Sequence, residues 1–318
     1  MSYKKNKKDR MLGRRLIGEG FSIGPITISP DGFWGFLTVL PVICLYTLIA
    51  VVPIGFAFAA SLHEIPLMNP TWSFVGTSNY VEVFNLDRFW ASMWRGVYYM
   101  IGSTILQTII GVWIALTLNK MEFGQRILSS VIFSIYMIPT IIVVLLALFL
   151  LDPFIGFVHV YFGEGLGLWE NYLLGNTELA MPAAILVGTW KFSVFITIFT
   201  LAQLRSIPDH FYEAAKICGA NTWEMFRDIT FPRIRGALLV AVFLRSIFMF
   251  NKFDVIYPLT QGGPGYATTT MPILAYRETF QGSAYGLGNA IAMVMFVFLA
   301  IGGILYLWAL NPDEEVDT

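Results

Sequence analysis

The chain has 318 residues, of which 56% are hydrophobic and 13% are charged, and its formal net charge is −1. A soluble domain carries about 25% charged residues, so this composition excludes an ordinary soluble protein and indicates a protein largely embedded in a membrane. The two cysteines, Cys44 and Cys218, are predicted to be unpaired thiols, which excludes a disulfide framework.

The chain opens with a basic segment. Residues 1–32 are predicted to form a cytoplasmic N-terminal segment, and seven Lys/Arg lie within its first 16 residues. A basic run can bind nucleic acid, but this one precedes a long apolar stretch. An anchor that fixes the orientation of the chain in a membrane is therefore the better interpretation.

Six apolar stretches follow, and each is long enough for a transmembrane helix of about 20 residues. The predicted spans are residues 33–62, 92–118, 127–151, 179–203, 236–257 and 286–310. The predicted fold class is therefore all-α, a polytopic membrane protein with six transmembrane helices. Residues 33–310 form the predicted six-helix transmembrane domain, and residues 311–318 form a cytoplasmic tail.

The distribution of cations orients the predicted spans. With the N-terminus in the cytoplasm, fourteen of the 20 Lys/Arg fall in cytoplasmic segments, four fall in spans, and Arg88 and Arg277 fall in external loops. Lys and Arg concentrate on the cytoplasmic side of membrane proteins. The sequence therefore predicts a multi-pass protein of the plasma (inner) membrane with both termini in the cytoplasm.

The segment between the fourth and fifth spans is polar and amphipathic. It contains the sequence EAAKICGANTWEMFRDITFP, which ends at Pro232, where a helix cannot continue. Asp209 is predicted to cap one short helix, Asn221 a second, and Gly219 to bend the chain between them. We call residues 209–232, two short helices joined at a glycine, the knuckle.

The pattern E-A-A-x-x-x-G-A in the knuckle, followed by I-x-x-P, resembles the signature loop of ABC importer permeases. Two flanking motifs narrow the resemblance to carbohydrate-type permeases, similar to those of the maltose and glycerol-phosphate systems. They are Leu204-Arg-Ser-Ile-Pro-Asp before the knuckle and Phe253-Asp-Val-Ile-Tyr-Pro-Leu-Thr-Gln-Gly-Gly-Pro264 after the fifth span. The resemblance covers nearly the whole chain. It departs from the family pattern at Cys218, where an acidic residue is usual, and at Gly236, where a proline is common.

The resemblance implies the type I ABC importer permease fold and the import of a sugar or oligosaccharide by alternating access. The implied partners are a second homologous permease subunit, two ATP-binding subunits and an extracytoplasmic solute-binding protein, with membrane lipid around the spans and no nucleic acid. This chain would then be no enzyme and would hold no cofactor, since ATP and Mg bind the partner subunits. In the coupling loop 204–235, the residues implied to couple to the ATPase are Glu213, Ala214, Ala215, Gly219, Ala220 and Pro232.

The sequence carries no motif for catalysis of its own. It has no Gly-x4-Gly-Lys-Ser/Thr phosphate loop and no HExxH, CxxC or Gly-x-Ser-x-Gly pattern. If the protein uses energy, another chain must supply it. The three histidines, His63, His159 and His210, are predicted to lie at surfaces rather than to ligate a metal.

Charged residues inside spans are costly and mark a candidate transport pathway. Lys191 and Arg245 are each predicted about 15 Å into a span, near the midplane, with no acidic partner at that depth. Asp254 is predicted to point away from Lys252. The cations either donate structural hydrogen bonds to carbonyls of neighbouring helices, or face a water-filled path or a second permease chain.

Four polar residues match positions at which maltose-type permeases line the sugar site, namely Tyr136, Thr140, Asn251 and Lys252. The Lys191 and Arg245 positions also resemble those of the family. The predicted substrate-pathway residues are Tyr136, Thr140, Asn251, Lys252, Lys191 and Arg245.

The substrate class stays open at this point. A cationic stripe of Lys252 and Arg245 favours an anionic sugar derivative or a glycerophosphoryl compound, whereas a Lys252 that reaches the outer headgroups leaves a neutral sugar. An alternative of another class, an ion-coupled secondary transporter, needs carboxylates in the spans and an inverted repeat. Asp254 alone qualifies, and no repeat is visible.

Overall fold

The computed structural model of the chain describes residues 21–23, 26–28, 30–66, 71–167 and 172–310. The predictions for the basic run at residues 1–16 and for the tail at residues 311–318 lie outside the described residues. The chain divides into two compact units, residues 1–59 and 60–318, which are described in turn.

The first unit contains a short hairpin and the first apolar helix. Strands β1 (Phe21–Ile23) and β2 (Ile26–Ile28) pair antiparallel, a hairpin that the sequence analysis did not predict. Helix α1 (Pro30–Tyr46) passes through a π-helical turn (Thr47–Val51) into α2 (Val52–Ser61). Together they confirm the predicted first span, because an uncharged run of this length favours one continuous helix.

The second unit is helical apart from a small outer ribbon, β3 (His63–Glu64) paired with β4 (Ser73–Phe74). Its α-helices are α3 (Ser78–Asn85), α4 (Asp87–Lys120), α5 (Gln125–Met137), α6 (Thr140–Leu150), α7 (Ala180–Leu204), α8 (His210–Ile217), α9 (Thr222–Met225), α10 (Phe231–Phe250), α11 (Ile256–Thr260), α12 (Met271–Tyr276) and α13 (Tyr285–Leu310). A 3₁₀ turn (Leu173–Gly175) and three π-helical turns (His159–Glu164, Phe226–Thr230, Arg277–Gln281) complete the described elements.

The core of the second unit is the contact between α4 and α7. At Gly111 an added Cβ would lie 2.7 Å from Ile196 Cβ and 2.8 Å from the Ser193 carbonyl oxygen, so the two helices touch backbone to backbone. At Gly188 an added Cβ would lie 2.8 Å from the Tyr99 hydroxyl. Small residues permit this close approach in membranes, where van der Waals contact stabilises helix pairs.

Four described helices are long and apolar enough to cross a membrane, or five if α5 and α6 are counted as one broken span. These two helices meet at an angle of 93°. The bend falls at Ile138-Pro139, because proline removes a helical hydrogen bond and forces the preceding residue into an extended conformation.

The predicted fifth span, residues 236–257, corresponds to α10, which carries Arg233, Arg235 and Arg245. The predicted end of this span is wrong. Helix α10 ends at Phe250, and the chain then runs without regular structure through Asn251–Asp254 before α11. The polar residues placed inside a helix by the hydropathy pattern therefore lie in a break between two helices.

Candidate functional site

The knuckle contains α8 and α9, joined at Gly219, as predicted. The prediction that its second helix ends at Pro232 is wrong. Helix α9 continues through the π-helical turn Phe226–Thr230 into α10, and Pro232 lies in the first turn of α10, where a proline is tolerated. Gly219 has φ = +83°, a left-handed conformation that side chains disfavour. Asn221 caps α9 through its side-chain oxygen, which accepts hydrogen bonds from the backbone N–H groups of Trp223 and Glu224, and Glu224 bonds back to the Asn221 N–H at 2.7 Å. The sequence thus fixes the bend at the glycine and the start of the second helix.

Asp209 precedes α8 as predicted, but the prediction that its side chain caps this helix is wrong. It makes no capping hydrogen bond, because its backbone is already helical (φ −61°, ψ −29°) whereas a capping residue is usually extended. The first knuckle helix therefore relies on tertiary contacts for its stability.

Those contacts connect the knuckle to the base of α10. The Tyr212 and Thr230 hydroxyls are hydrogen-bonded at 3.0 Å. The Arg233 guanidinium lies 3.7 Å from the centroid of the Phe211 ring, within the range of a cation–π contact. Gln203, at the end of α7, donates to the Arg233 carbonyl at 3.3 Å. These contacts join α7, α8 and α10 at the knuckle.

The knuckle presents apolar side chains to its surroundings. Ile217 is 88% exposed and Trp223 is 66% exposed, with the Trp223 ring stacked on Phe226. Of the predicted coupling residues, four are exposed and two are half-buried. The exposed ones are Glu213, Ala214, Gly219 and Pro232, and the half-buried ones are Ala215 and Ala220. Outside the apolar patch, Asp228 raises the pKa of Arg227 through a hydrogen bond of 2.8 Å.

A second group of polar residues gathers around the ring of Phe192 in α7. The Lys252 Nζ lies 4.0 Å, the Arg245 Cζ 4.8 Å and the Lys191 Nζ 5.2 Å from the Phe192 ring centroid. The Tyr136 ring packs edge-on against it, with 6.5 Å between centroids. We call Tyr136, Lys191, Phe192, Arg245 and Lys252 the Phe192 cluster.

Two cations of the cluster have acceptors on neighbouring helices. Lys191 Nζ donates to the Ile138 carbonyl at the α5–α6 bend, and to Thr140 Oγ1 at 3.0 Å. Arg245 Nε donates to Gln107 Oε1 in α4 at 2.9 Å. For Lys191 this confirms the structural interpretation, hydrogen bonding to the carbonyl of a neighbouring helix. The bend at Pro139 thus supplies an acceptor that a continuous helix would have used internally.

Lys252 has an acidic partner, so the prediction that it and Asp254 point to opposite sides is wrong. Lys252 Nζ lies 3.0 Å from Asp254 Oδ1. The prediction assumed helical geometry, but both residues lie in the break after α10, where that geometry does not hold. The charge of Lys252 is therefore balanced within this chain.

The structure brings five of the six predicted pathway residues to one place. Tyr136, Lys191, Arg245 and Lys252 surround Phe192, and Thr140 accepts from Lys191. The sixth, Asn251, is exposed at the end of α10, where its side chain donates to the Ile247 carbonyl at 3.2 Å. It adjoins the cluster through Lys252.

An aromatic cavity of about 430 Å³ lies beside the break. Phe253, Tyr276, Phe280, Tyr285 and Asn289 are among the residues that line it. The Phe253 ring stacks on Tyr257 with 4.7 Å between centroids. Aromatic faces with nearby amide and hydroxyl groups can contact the apolar and polar faces of a small polar solute.

Sequence reasoning missed Phe192 and Gln107. Phe192 stands among apolar residues of a predicted span, and nothing in its own sequence neighbourhood distinguishes it from a core residue. Gln107 carried a signal that was not used, because an amide inside a span needs a buried partner. Arg245, at a similar depth in another span, was the nearest candidate partner, and it donates a hydrogen bond to the Gln107 side chain.

The prediction that all three histidines lie at surfaces is wrong for His159, which is 3% exposed. It starts the π-helical turn His159–Glu164, so its position in a predicted loop did not imply an exposed side chain. Within the described ranges, no group of three His, Cys, Asp or Glu residues could hold a metal ion.

Residues 107–310 match the profile of a protein family described as binding-protein-dependent transport system inner membrane component. The trehalose/maltose transport system permease protein MalF of Thermococcus litoralis is 35% identical over 273 residues, which cover 86% of this chain and 92% of that protein. A starch degradation products transport system permease protein described as probable, AmyD of Thermoanaerobacterium thermosulfurigenes, is 24% identical and covers 90% of this chain and 97% of its own.

The fold is also similar to that of a solved structure. A chain of a bacterial ABC transporter involved in alginate import superposes with a TM-score of 0.77, at 21% sequence identity, over 89% of this chain and 96% of that one. The predicted all-α, type I importer permease fold is confirmed by this similarity and by the family profile.

Proposed function

The chain belongs to the family of binding-protein-dependent transport system inner membrane components, and on that premise we propose that it is the permease subunit of an ABC importer for a sugar or oligosaccharide. The name of the Thermococcus litoralis relative, a trehalose/maltose permease, supports a sugar as the solute. The chain is a transport component and not an enzyme, since ATP hydrolysis in this family belongs to a separate subunit.

The observation that carries the proposal is that the same two helices join the knuckle to the Phe192 cluster. Helix α7 holds Lys191 and Phe192 and leads into the knuckle at its end. Helix α10 leaves the knuckle and ends at the break that holds Lys252. A displacement of the knuckle is therefore passed directly to the wall formed by α10, and it reaches α7 through the α7–α8 turn.

This connection gives the proposed mechanism its physical basis. ATP and Mg bind two partner ATPase subunits, whose closure moves the knuckle of this chain toward that of a second, homologous permease. The spans then open outward and accept the solute from an extracytoplasmic binding protein, and hydrolysis restores the inward-facing state. The proposal includes cytoplasmic termini, supported by the fourteen Lys/Arg on that side.

Within the proposal, the two groups of residues have separate roles. Glu213, Gly219 and the exposed apolar side chains of the knuckle contact the ATPase. The Phe192 cluster, Thr140 and Asn251 line the solute pathway, and the aromatic cavity beside the break offers ring faces for stacking.

Purification of the complex with its binding protein, followed by mass spectrometry of the co-purified solute, tests the proposed function. We expect a sugar or oligosaccharide, and addition of that solute with the binding protein should stimulate ATP hydrolysis. Recovery of a non-carbohydrate solute that stimulates ATP hydrolysis, with no response to sugars, would contradict the proposal.

A further inference from the structure

The Lys252–Asp254 ion pair is asymmetric in its exposure. The Lys252 side chain is 14% exposed, whereas the Asp254 side chain is 52% exposed. The ammonium group is enclosed between Asp254 Oδ1 at 3.0 Å and the Phe192 ring at 4.0 Å. The cation is thus turned inward, and the carboxylate is the charge that the pair presents to its surroundings.

The contacts of Lys252 leave it little freedom to reach a solute. A cation–π contact in a dry site adds to the ion pair, so the ammonium has two partners within the chain. Asp254 has Lys252 as its ionic partner in the part of the chain that the structure describes. A carboxylate has about four acceptor positions, so Asp254 retains capacity for further donors.

Asp254 is also exposed next to Phe253, a residue of the aromatic cavity. It lies in the irregular segment between α10 and α11, and irregular backbone at membrane depth occurs where it is covered by protein or faces a water-filled cavity. Phe253, between the two charged residues, lines the aromatic cavity. An acceptor beside aromatic rings suits a sugar, whose hydroxyl groups donate and whose C–H faces pack on rings.

We propose that Asp254 is a specificity-determining residue, whose exposed carboxylate makes the pathway accept neutral, hydroxyl-bearing sugars and reject anionic ones. This inference rests on the proposed function and names the substrate class within it. An anionic group brought to this position meets a like charge, while Lys252 stays occupied by Asp254 and Phe192. The other two cations of the cluster are buried, and each already has an acceptor within the chain: Thr140 for Lys191 and Gln107 for Arg245. Rejection of a competitor by a like charge is a recognised source of specificity.

Charge variants of the pair, in the complete importer, test the inference. The probes are trehalose and a trehalose derivative in which one primary alcohol is oxidised to a carboxylate. Their affinities are measured on the purified importer without its binding protein, so that the selectivity of that protein does not contribute. Wild type should favour trehalose over the derivative by at least about tenfold, the difference that one charged contact commonly makes.

The preference of each variant for trehalose over the derivative should follow the charge that remains at the pair. Asp254→Asn exposes a net cation and should lower the trehalose preference about tenfold or more. Lys252→Gln leaves the carboxylate and should keep or raise the preference. The double variant Lys252→Gln/Asp254→Asn removes both charges, leaves no buried unpaired cation, and should fall between wild type and Asp254→Asn.

Glu278→Gln is the matched control, since Glu278 forms a different ion pair, with Arg88 at 3.5 Å. Its preference should equal that of wild type. A preference that stays constant across the folded variants, or a wild type that favours the anionic derivative, overturns the role of Asp254. Failure of wild type to bind either sugar, in an importer that responds to another solute, instead counts against the proposed function.

Discussion

Phe192 shows how much a single apolar side chain can organise inside a membrane. The residue is 6% exposed, and its ring faces three cations. Of these three, Lys252 alone forms an ion pair within the described residues. Cation–π contacts in such desolvated sites are worth about 2 kcal/mol or more. The ring therefore offsets part of the cost of holding these charges away from water.

Phe192→Leu should lower both the thermal unfolding midpoint of the purified complex and solute uptake, the latter by about tenfold, because the ring quadrupole is lost. Phe199→Leu is the control. Phe199 lies in the same helix and packs at a tilt against Phe195, with 4.8 Å between ring centroids, and no cation is described over its ring. Equal losses in the two variants would assign the effect to lost volume rather than to the cations.

Gly219 offers a second prediction at this scale. No atom lies within 4 Å of an added Cβ, so Gly219→Ala costs only the strain of its positive φ, about 1 kcal/mol or more. If the bend transmits the motion of the ATPase, transport should fall severalfold while ATP hydrolysis continues. Gly124→Ala, at φ +75° with equally open space, should show the strain without the uncoupling. Uncoupling by both variants, or by neither, removes the knuckle bend from this role.

At the scale of elements, the apolar helices could be predicted closely and their irregular ends could not. Helix α7 begins and ends within one residue of the predicted span, because an apolar run between polar segments has one favourable placement. Helix α10 ends earlier than predicted, and beyond its end Lys252 contacts Phe192 and Asp254. The contact with Phe192 joins residues about 60 positions apart, so the sequence around Lys252 does not indicate it.

The candidate site also has parts that could be predicted from the sequence and parts that could not. The bend of the knuckle could be predicted because glycine and asparagine act locally on the backbone. The predicted helix end at Pro232 was wrong because a proline is tolerated in the first turn of a helix. The pathway residues were identified by resemblance and by the cost of charge in a span. Their partners, Phe192, Gln107 and the Ile138 carbonyl, follow from packing between helices and required the structure.

The close contact of α4 and α7 gives a prediction at this scale. Gly111→Ala forces a methyl group to within 3 Å of Ile196 and the Ser193 carbonyl, and overpacking of this kind costs about 1–3 kcal/mol. We expect a lower unfolding midpoint of the purified protein. Gly302→Ala, in α13 with no atom within 4 Å, should be neutral or stabilising, since alanine is the better helix former. Equal effects of the two variants would contradict the close contact.

For the whole molecule, topology is the property that most needs a test. Cys218 is exposed on the knuckle, and the positive-inside distribution predicts that it faces the cytoplasm. In a Cys44→Ala background, intact cells should show labelling of Cys218 by a membrane-permeant maleimide and none by an impermeant one. Disrupted cells, in which both reagents should react, provide the control. Labelling of intact cells by the impermeant reagent contradicts the six-span orientation.

The helical backbone runs without interruption from Thr222 through the π-helical turn to Phe250. At 1.5 Å per residue this is a lever roughly 43 Å long. A tilt of about 5° at its knuckle end would displace the other end by about 4 Å, somewhat more than the length of a hydrogen bond. On the other side, the turn between α7 and α8 and the bend at Gly219 act as two joints in series. Movement of the knuckle would thus displace the wall of the pathway formed by α10 directly, whereas the wall formed by α7 would move less.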